Sequence, residues 1–194
     1  MRYTDLSTGV LVNCVGARTA SELMTAEYDL VIARQIQLNA HPLTGSYDLD
    51  RLQRTHRWLF GDVYPFAGQL RTVDLAKHND PSRSFVPARL LAATADRLFA
   101  ELAAAHFLRG LRSREFAEQL AGYFSDLNHL HPFREGNGRT LRLFLSDLAA
   151  DADYRLDWTC ISRADNLAAS RNPAGLSRSL FERITITAHP ETRS

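Results

Sequence analysis

Residues 131–142 read His-Pro-Phe-Arg-Glu-Gly-Asn-Gly-Arg-Thr-Leu-Arg, and no other stretch constrains the chain as much. Gly136 and Gly138 permit backbone conformations closed to other residues, and Asn137 between them tolerates the left-handed region. Leu141, Phe144, Leu145 and Leu148 follow at helical spacing, so a helix begins at this turn. The first amides of a helix have no intrahelical acceptor and point toward any anion placed before them. At about 100° per residue, Arg139 and Arg142 lie roughly 140° from the centre of the apolar stripe. The leucines and Phe144 therefore anchor the helix while the arginines line the mouth of the turn.

These residue types together suit polyphosphate chemistry. Gly136, Asn137 and Gly138 form an anion cradle, and arginine can donate two bonds at once to phosphate. Glu135 offers oxygen ligands to a hard divalent cation, Mg²⁺ above all. His131 has the side chain whose ordinary pKa best suits a general base near neutral pH. The implied reaction is nucleotidyl or phosphoryl transfer. A competing reading makes His129 and His131 metal ligands, but the sequence offers no further ligands at metal spacing.

The pattern His-x-Phe-x-Glu-Gly-Asn-Gly-Arg-x-x-Arg resembles the full signature of the Fic family, with no departure at its eight specified positions. Tyr64-Pro-Phe-Ala-Gly-Gln-Leu-Arg71 resembles the segment leading into the family's flap, and Ser84-Phe-Val-Pro87 resembles the flap's far side. The resemblance implies an all-α fold, a bundle of about six to eight helices with a short β-hairpin flap. It implies one domain over 1–194, with the family core at about 50–170, the flap at about 70–87 and the signature loop at 131–142.

By the same resemblance the chain moves AMP from ATP to a Ser, Thr or Tyr hydroxyl of a target protein. His131 deprotonates the hydroxyl, and Glu135 holds Mg²⁺ on the α- and β-phosphates. The Gly136 and Gly138 amides line the anion hole beside Asn137. Arg139 and Arg142 bind the β- and γ-phosphates, and Phe133 anchors the loop from the core. Phosphorylation is disfavoured, because the kinase-like Doc branch has lysine where this chain has Gly138. Transfer of UMP, phosphocholine or phosphate is the alternative among enzymes. A non-catalytic nucleotide-binding role is the alternative outside them, and the presence of both His131 and Glu135 weighs against it.

Bulk composition narrows the partners. With 23 basic and 22 acidic residues, net charge is +1, which gives no electrostatic case for nucleic acid or an anionic membrane. The two cysteines, Cys14 and Cys160, make no metal motif or disulfide framework; each is expected as a small buried hydrophobe in a reducing cytoplasm. No apolar run approaches membrane-spanning length, and 1–15 does not suit a signal peptide. Secretion of such a domain within a longer effector stays open.

Thr19-Ala-Ser-Glu22 reads as a capping box opening a helix to about Leu38, with Leu23, Tyr28, Leu30, Val31 and Ile36 as inward candidates. A second helix is expected over Asp48–Phe60 on Leu49, Leu52, Trp58 and Leu59, with His56 structural. Residues 72–75 and 84–86 are expected as partner strands. The exposed edge of such a hairpin could hold an extended target peptide, with Ser84, Phe85 and Val86 as the clamp. Helices are further expected from Pro87 to about His106, over 114–128, and over 176–186, with a loop at 151–155 and a short capped helix near Ser162.

Many Fic proteins carry an inhibitory Ser/Thr-x-x-x-Glu helix whose glutamate pairs with the second motif arginine. Glu22, Glu27 and Glu182 are preceded four residues earlier by Arg18, Leu23 and Arg178, so none fits. The resemblance then implies the toxin-like branch, restrained by a small antitoxin whose glutamate reaches Arg142. Targets of that branch include bacterial topoisomerase subunits.

Overall fold

The computed structural model describes residues 3–77, 80, 84–162 and 178–187. Among them are six α-helices, α1 (Ala20–Ala40), α2 (Leu49–Phe60), α3 (Leu91–Ala104), α4 (Ser113–Leu130), α5 (Asn137–Ala150) and α6 (Arg178–Ile184). A two-stranded antiparallel sheet pairs β1 (Tyr154–Leu156) with β2 (Thr185–Thr187), Tyr154 standing opposite Thr187. The helical architecture is the one expected, and its centre is the pair α4 and α5.

Two buried clusters hold the elements together. In one, Phe116, Leu120, Leu127 and Leu130 of α4 meet Leu141, Phe144, Leu145 and Leu148 of α5, with α3 and α6 packed outside. The other joins Leu23, Val31 and Leu38 of α1 to Leu59 and Phe60 of α2, to Val63, Tyr64 and Phe66, and to Leu143 of α5. Thus α2 and α4 press on α5 from different sides and fix where its N-terminus points.

Local chemistry sets the boundaries. Thr19 and Glu22 form the expected capping box, and the Asp48 carboxylate accepts the Arg51 amide at 2.8 Å to open α2. Pro132 cannot extend α4, and His131 closes that helix in the left-handed region at φ +46°. His106, Phe107 and Leu108 all have positive φ, and this left-handed turn stops α3 at Ala104.

Several expectations are corrected. On α1, Tyr28 and Ile36 are exposed, because the side covered by α2 and the loop after it takes Leu23, Val31 and Leu38, with Leu30 partly buried beside them. Trp58 is 39% exposed, not buried in the core; its indole N–H donates to the Arg34 carbonyl at 3.1 Å. The helix after Pro87 begins as a 3₁₀ turn over Ala88–Leu90. Both cysteines are exposed. Residues 154–156 form a strand where a loop was expected, and the last helix gives way to β2 at Thr185. Among the described residues, the expected 72–86 hairpin pairs through the bridge of Ala76 to Ser84, with the Phe85 amide donating to the Leu75 carbonyl at 3.0 Å. The short helix near Ser162 falls almost wholly outside the described residues. No helix among the described residues is long and apolar enough to cross a membrane.

Candidate active site

Residues His131, Arg134, Glu135, Gly136, Asn137, Gly138, Arg139 and Arg142 line one open cleft of about 310 Å³. The helix starts where the glycines put it. Gly136 sits in the left-handed region at φ +78°, and the first intrahelical bond runs from the Thr140 amide to the Gly136 carbonyl at 3.1 Å. The amides of Asn137, Gly138 and Arg139 precede that bond and have no helical acceptor, so the positive end of α5 opens on the cleft. The Gly136 amide is already engaged: it donates to the Glu135 carboxylate at 3.0 Å. An anion reaching this amide must therefore displace that carboxylate oxygen.

Gly136 has a second requirement. A Cβ built there would stand 2.5 Å from the ring of Phe60, which is fully buried. The loop thus lies directly on α2, and only glycine fits. The Asn137 side chain turns inward, its Oδ1 accepting the Phe133 amide at 2.9 Å and its Nδ2 donating to the Phe133 carbonyl at 2.8 Å. It braces the loop and leaves the Asn137 backbone amide to the cleft. Phe133 is buried and stacks on His56, centroids 3.9 Å apart.

His131 has a defined tautomer. Its Nδ1 lies 3.3 Å from the Asn128 carbonyl, which can only accept, so Nδ1 carries the hydrogen and Nε2 keeps its lone pair. Burial pushes its pKa down to about 4, with smaller contributions from Arg71, Lys77 and His129, against the raising effect of the Asn128 bond. The imidazole is therefore neutral at pH 7. Phe85 lies flat against it, centroids 3.8 Å apart and planes within 11°. Of the expected clamp, Ser84 is exposed, Phe85 covers the imidazole, and Val86 is buried with its amide on the His129 carbonyl at 3.2 Å.

The two arginines differ. Arg139 lies over Phe60 at 4.8 Å and pairs with Glu27 of α1 at 2.6 Å, while Glu135 stands 4.0 Å from the same nitrogen. Arg142 is partly buried and has no ion pair among the described residues; burial and the neighbouring Arg139 both lower its pKa. Glu135 is the cleft's one carboxylate, and no cluster of three metal-binding side chains occurs among the described residues. A single half-exposed carboxylate beside an anion cradle suits Mg²⁺, which is commonly held by one or two carboxylates plus phosphate oxygens and water. The family resemblance implies that segments after the signature form the adenine pocket; Asn166, Ala169 and Leu176 of that stretch lie outside the described residues.

The model of the Fic/DOC family matches residues 46–149, more than half of the chain. The chain belongs to the Fic/DOC family. It is 39% identical to protein adenylyltransferase VbhT of Bartonella schoenbuchensis over 87% of its own length and 34% of the relative's, so it spans about a third of that protein. It is 32% identical to the probable protein adenylyltransferase Fic of Escherichia coli, across 79% of this chain and 74% of that one. The solved N-terminal Fic domain of a VirB-translocated effector from Bartonella quintana, with bound ADP, superposes with TM-score 0.85 at 27% identity, covering 95% of this chain and 94% of that one.

Three residues shape this Fic site without standing in its signature. His56 is fully buried between Phe60 and Phe133; its Nδ1 accepts the Gly68 amide at 2.7 Å, so its Nε2–H donates to the Glu135 carbonyl at 2.9 Å. Burial lowers its pKa to about 4, and this neutral tautomer pins the loop. Arg71, 2% exposed, donates to the carbonyls of His131 (2.8 Å), Val73 (2.7 Å), Leu130 (3.4 Å) and Val86, joining the flap to the end of α4. Glu27 comes from α1, outside the family span. Each lies dozens of residues from the signature, and no periodicity reports such a contact.

Proposed function

We propose that the chain is a protein adenylyltransferase that moves AMP from ATP to a hydroxyl of a target protein. The observation that carries this reading is the placement of one unprotonated imidazole nitrogen, one carboxylate, the α5 amides and two arginines on a single cleft. The relatives named protein adenylyltransferase and the ADP-bound Fic neighbour support it.

In this reading His131 Nε2 takes the proton of the target's Ser, Thr or Tyr hydroxyl. The hydroxyl oxygen bonds to the α-phosphorus, the bond between that phosphorus and the α,β-bridging oxygen breaks, and pyrophosphate leaves. A positioned base of this kind contributes roughly 10²–10⁴-fold. The amides of Asn137, Gly138 and Arg139 meet the charge that develops on the phosphates, as donors fixed before the reaction starts. Arg139 and Arg142 hold the β- and γ-phosphates. Glu135 would hold Mg²⁺, which when bound supplies charge neutralisation to the polyphosphate. The flap, through Ser84, Phe85 and Val86, would present an extended target segment to His131, which Phe85 already touches.

The same proposal takes the chain as a toxin-like Fic protein held in check by a small partner whose glutamate meets Arg142, with a bacterial topoisomerase subunit as target. The test uses a bacterial lysate, the purified chain, Mg²⁺ and ATP labelled at either the α- or the γ-phosphate. Label entering protein from α-labelled ATP is expected. Label entering only from γ-labelled ATP makes the chain a kinase and overturns the proposal.

A further inference from the structure

The signature's two arginines are not equivalent, and the difference originates in α1. Glu27 is little exposed, 12% at its side chain, and its Oε1 accepts from Arg139 Nη2 at 2.6 Å. Its other oxygen, Oε2, accepts the hydroxyl of Tyr64. Tyr64 is itself buried and stacks on Phe66 at 4.9 Å. Burial first, and then the bond to Glu27, raise the Tyr64 pKa, so the hydroxyl keeps its proton and stays a donor. The face of the Arg139 guanidinium rests on Phe60. One nitrogen of the fork is thus fixed by a carboxylate and one face by a ring, which leaves the remaining N–H groups for the phosphate side.

Arg139 also stands between two clefts. The first is the cradle; the second, also about 310 Å³, shares Arg139 and Arg142 and adds Gln35, Asn39, Leu143, Ser146 and Trp158. A long side chain at such a junction has two directions to swing, and ordering it costs rotamer entropy. A carboxylate on the far edge removes that choice before the nucleotide arrives.

We infer that Glu27, itself held by Tyr64, is a positioning residue that presents Arg139 to the nucleotide's phosphates. This rests on the adenylyltransferase reading for its catalytic part and on nucleotide binding alone for the rest. Glu27 orients and does not compete: the fork's outer N–H groups go to phosphate while Nη2 stays on the carboxylate. The residue lies outside the family span, so the signature does not specify it.

A double-mutant cycle tests this. ADP affinity is measured by calorimetry for the chain, Glu27→Gln, Arg139→Ala and the double variant; AMP transfer from ATP and thermal stability are measured alongside. Glu27→Gln keeps shape and an acceptor oxygen but loses the charge. Expected is an affinity loss of about tenfold for Glu27→Gln alone and none beyond Arg139→Ala in the double variant, a coupling within the range for contacting residues. Tyr64→Phe should shift affinity in the same direction by less. Equal losses with and without Arg139 would make Glu27 merely structural and overturn the inference. Tighter ADP binding and faster transfer in Glu27→Gln would make it a competitor and also overturn it. If the wild type binds ADP but transfers no AMP, the functional reading falls while the affinity cycle still judges Glu27; if it binds no ADP, both fall.

Discussion

Replacing Gly136 with alanine tests the mechanical basis of the cradle. Two costs add at this position. A non-glycine residue at φ +78° pays about 1–2 kcal/mol for the left-handed conformation. The new Cβ would also stand 2.5 Å from a ring that is fully buried between His56 and the loop, and overpacking of that kind costs about 1–3 kcal/mol. The sum centres on about 3.5 kcal/mol, which for a domain of this size lowers Tm by roughly 7–14 °C. ADP affinity should fall with it, because the first α5 amides move with the loop. Phe60→Leu is the control: it opens the space, so Gly136→Ala in that background should cost only the backbone part, about 1–2 kcal/mol. Thermal and denaturant unfolding of the four proteins measure the cycle. A Gly136→Ala variant with unchanged Tm and ADP affinity, or the same cost in both backgrounds, would refute the reasoning.

Further outcomes follow from individual contacts. Glu135→Ala should weaken Mg²⁺-dependent AMP transfer, with recovery as Mg²⁺ is raised; a metal titration checks this, and indifference to Mg²⁺ concentration would count against the metal role. Arg142→Ala should cost more affinity for ATP than for ADP, and calorimetry showing an unchanged ratio would sink its γ-phosphate assignment. Burial holds His56 and His131 near pKa 4 from an ordinary 6.5, so the folded chain resists protons that the unfolded chain accepts. The stability this confers is present above pH 6.5 and is lost as pH falls through about 4, roughly 3 kcal/mol for each histidine. Denaturant unfolding across pH 4–7 should therefore show falling stability, less steep in a His56→Phe variant; matching slopes would be inconsistent with a buried neutral His56.

The signature stretch was legible because its residues are local: turn, helix start, apolar stripe and charged mouth all lie within one loop and one helix. The order of α2, α4 and α5 follows the same logic, since their apolar residues recur at one period. On α1 that logic fails. Leu23, Met24, Tyr28, Leu30, Val31, Ile32, Ile36 and Leu38 surround much of the helix, and spacing cannot say which arc α2 will cover. β1 and β2 are three residues each and close over a long separation, too short for alternation to register. His56 was identified as structural from its helix, but its bond to the Glu135 carbonyl was not visible there. The sequence places Arg71 in the flap lead-in, and nothing local shows that its donors join the flap to the signature loop. Glu27 fails the inhibitory pattern aimed at the second motif arginine, and its pairing with the first comes from a tertiary contact that no sequence spacing carries.

The central claim is that His131 Nε2 is the base of a cradle that binds nucleotide without it. The most direct measurement compares the chain with His131→Ala in two assays, ADP affinity by calorimetry and AMP adducts on lysate proteins by intact-protein and peptide mass spectrometry. The account predicts an AMP-sized adduct that disappears, a loss of about 10²-fold or more, while ADP affinity changes little. Adducts that persist without the imidazole, or ADP binding lost together with transfer, would contradict it.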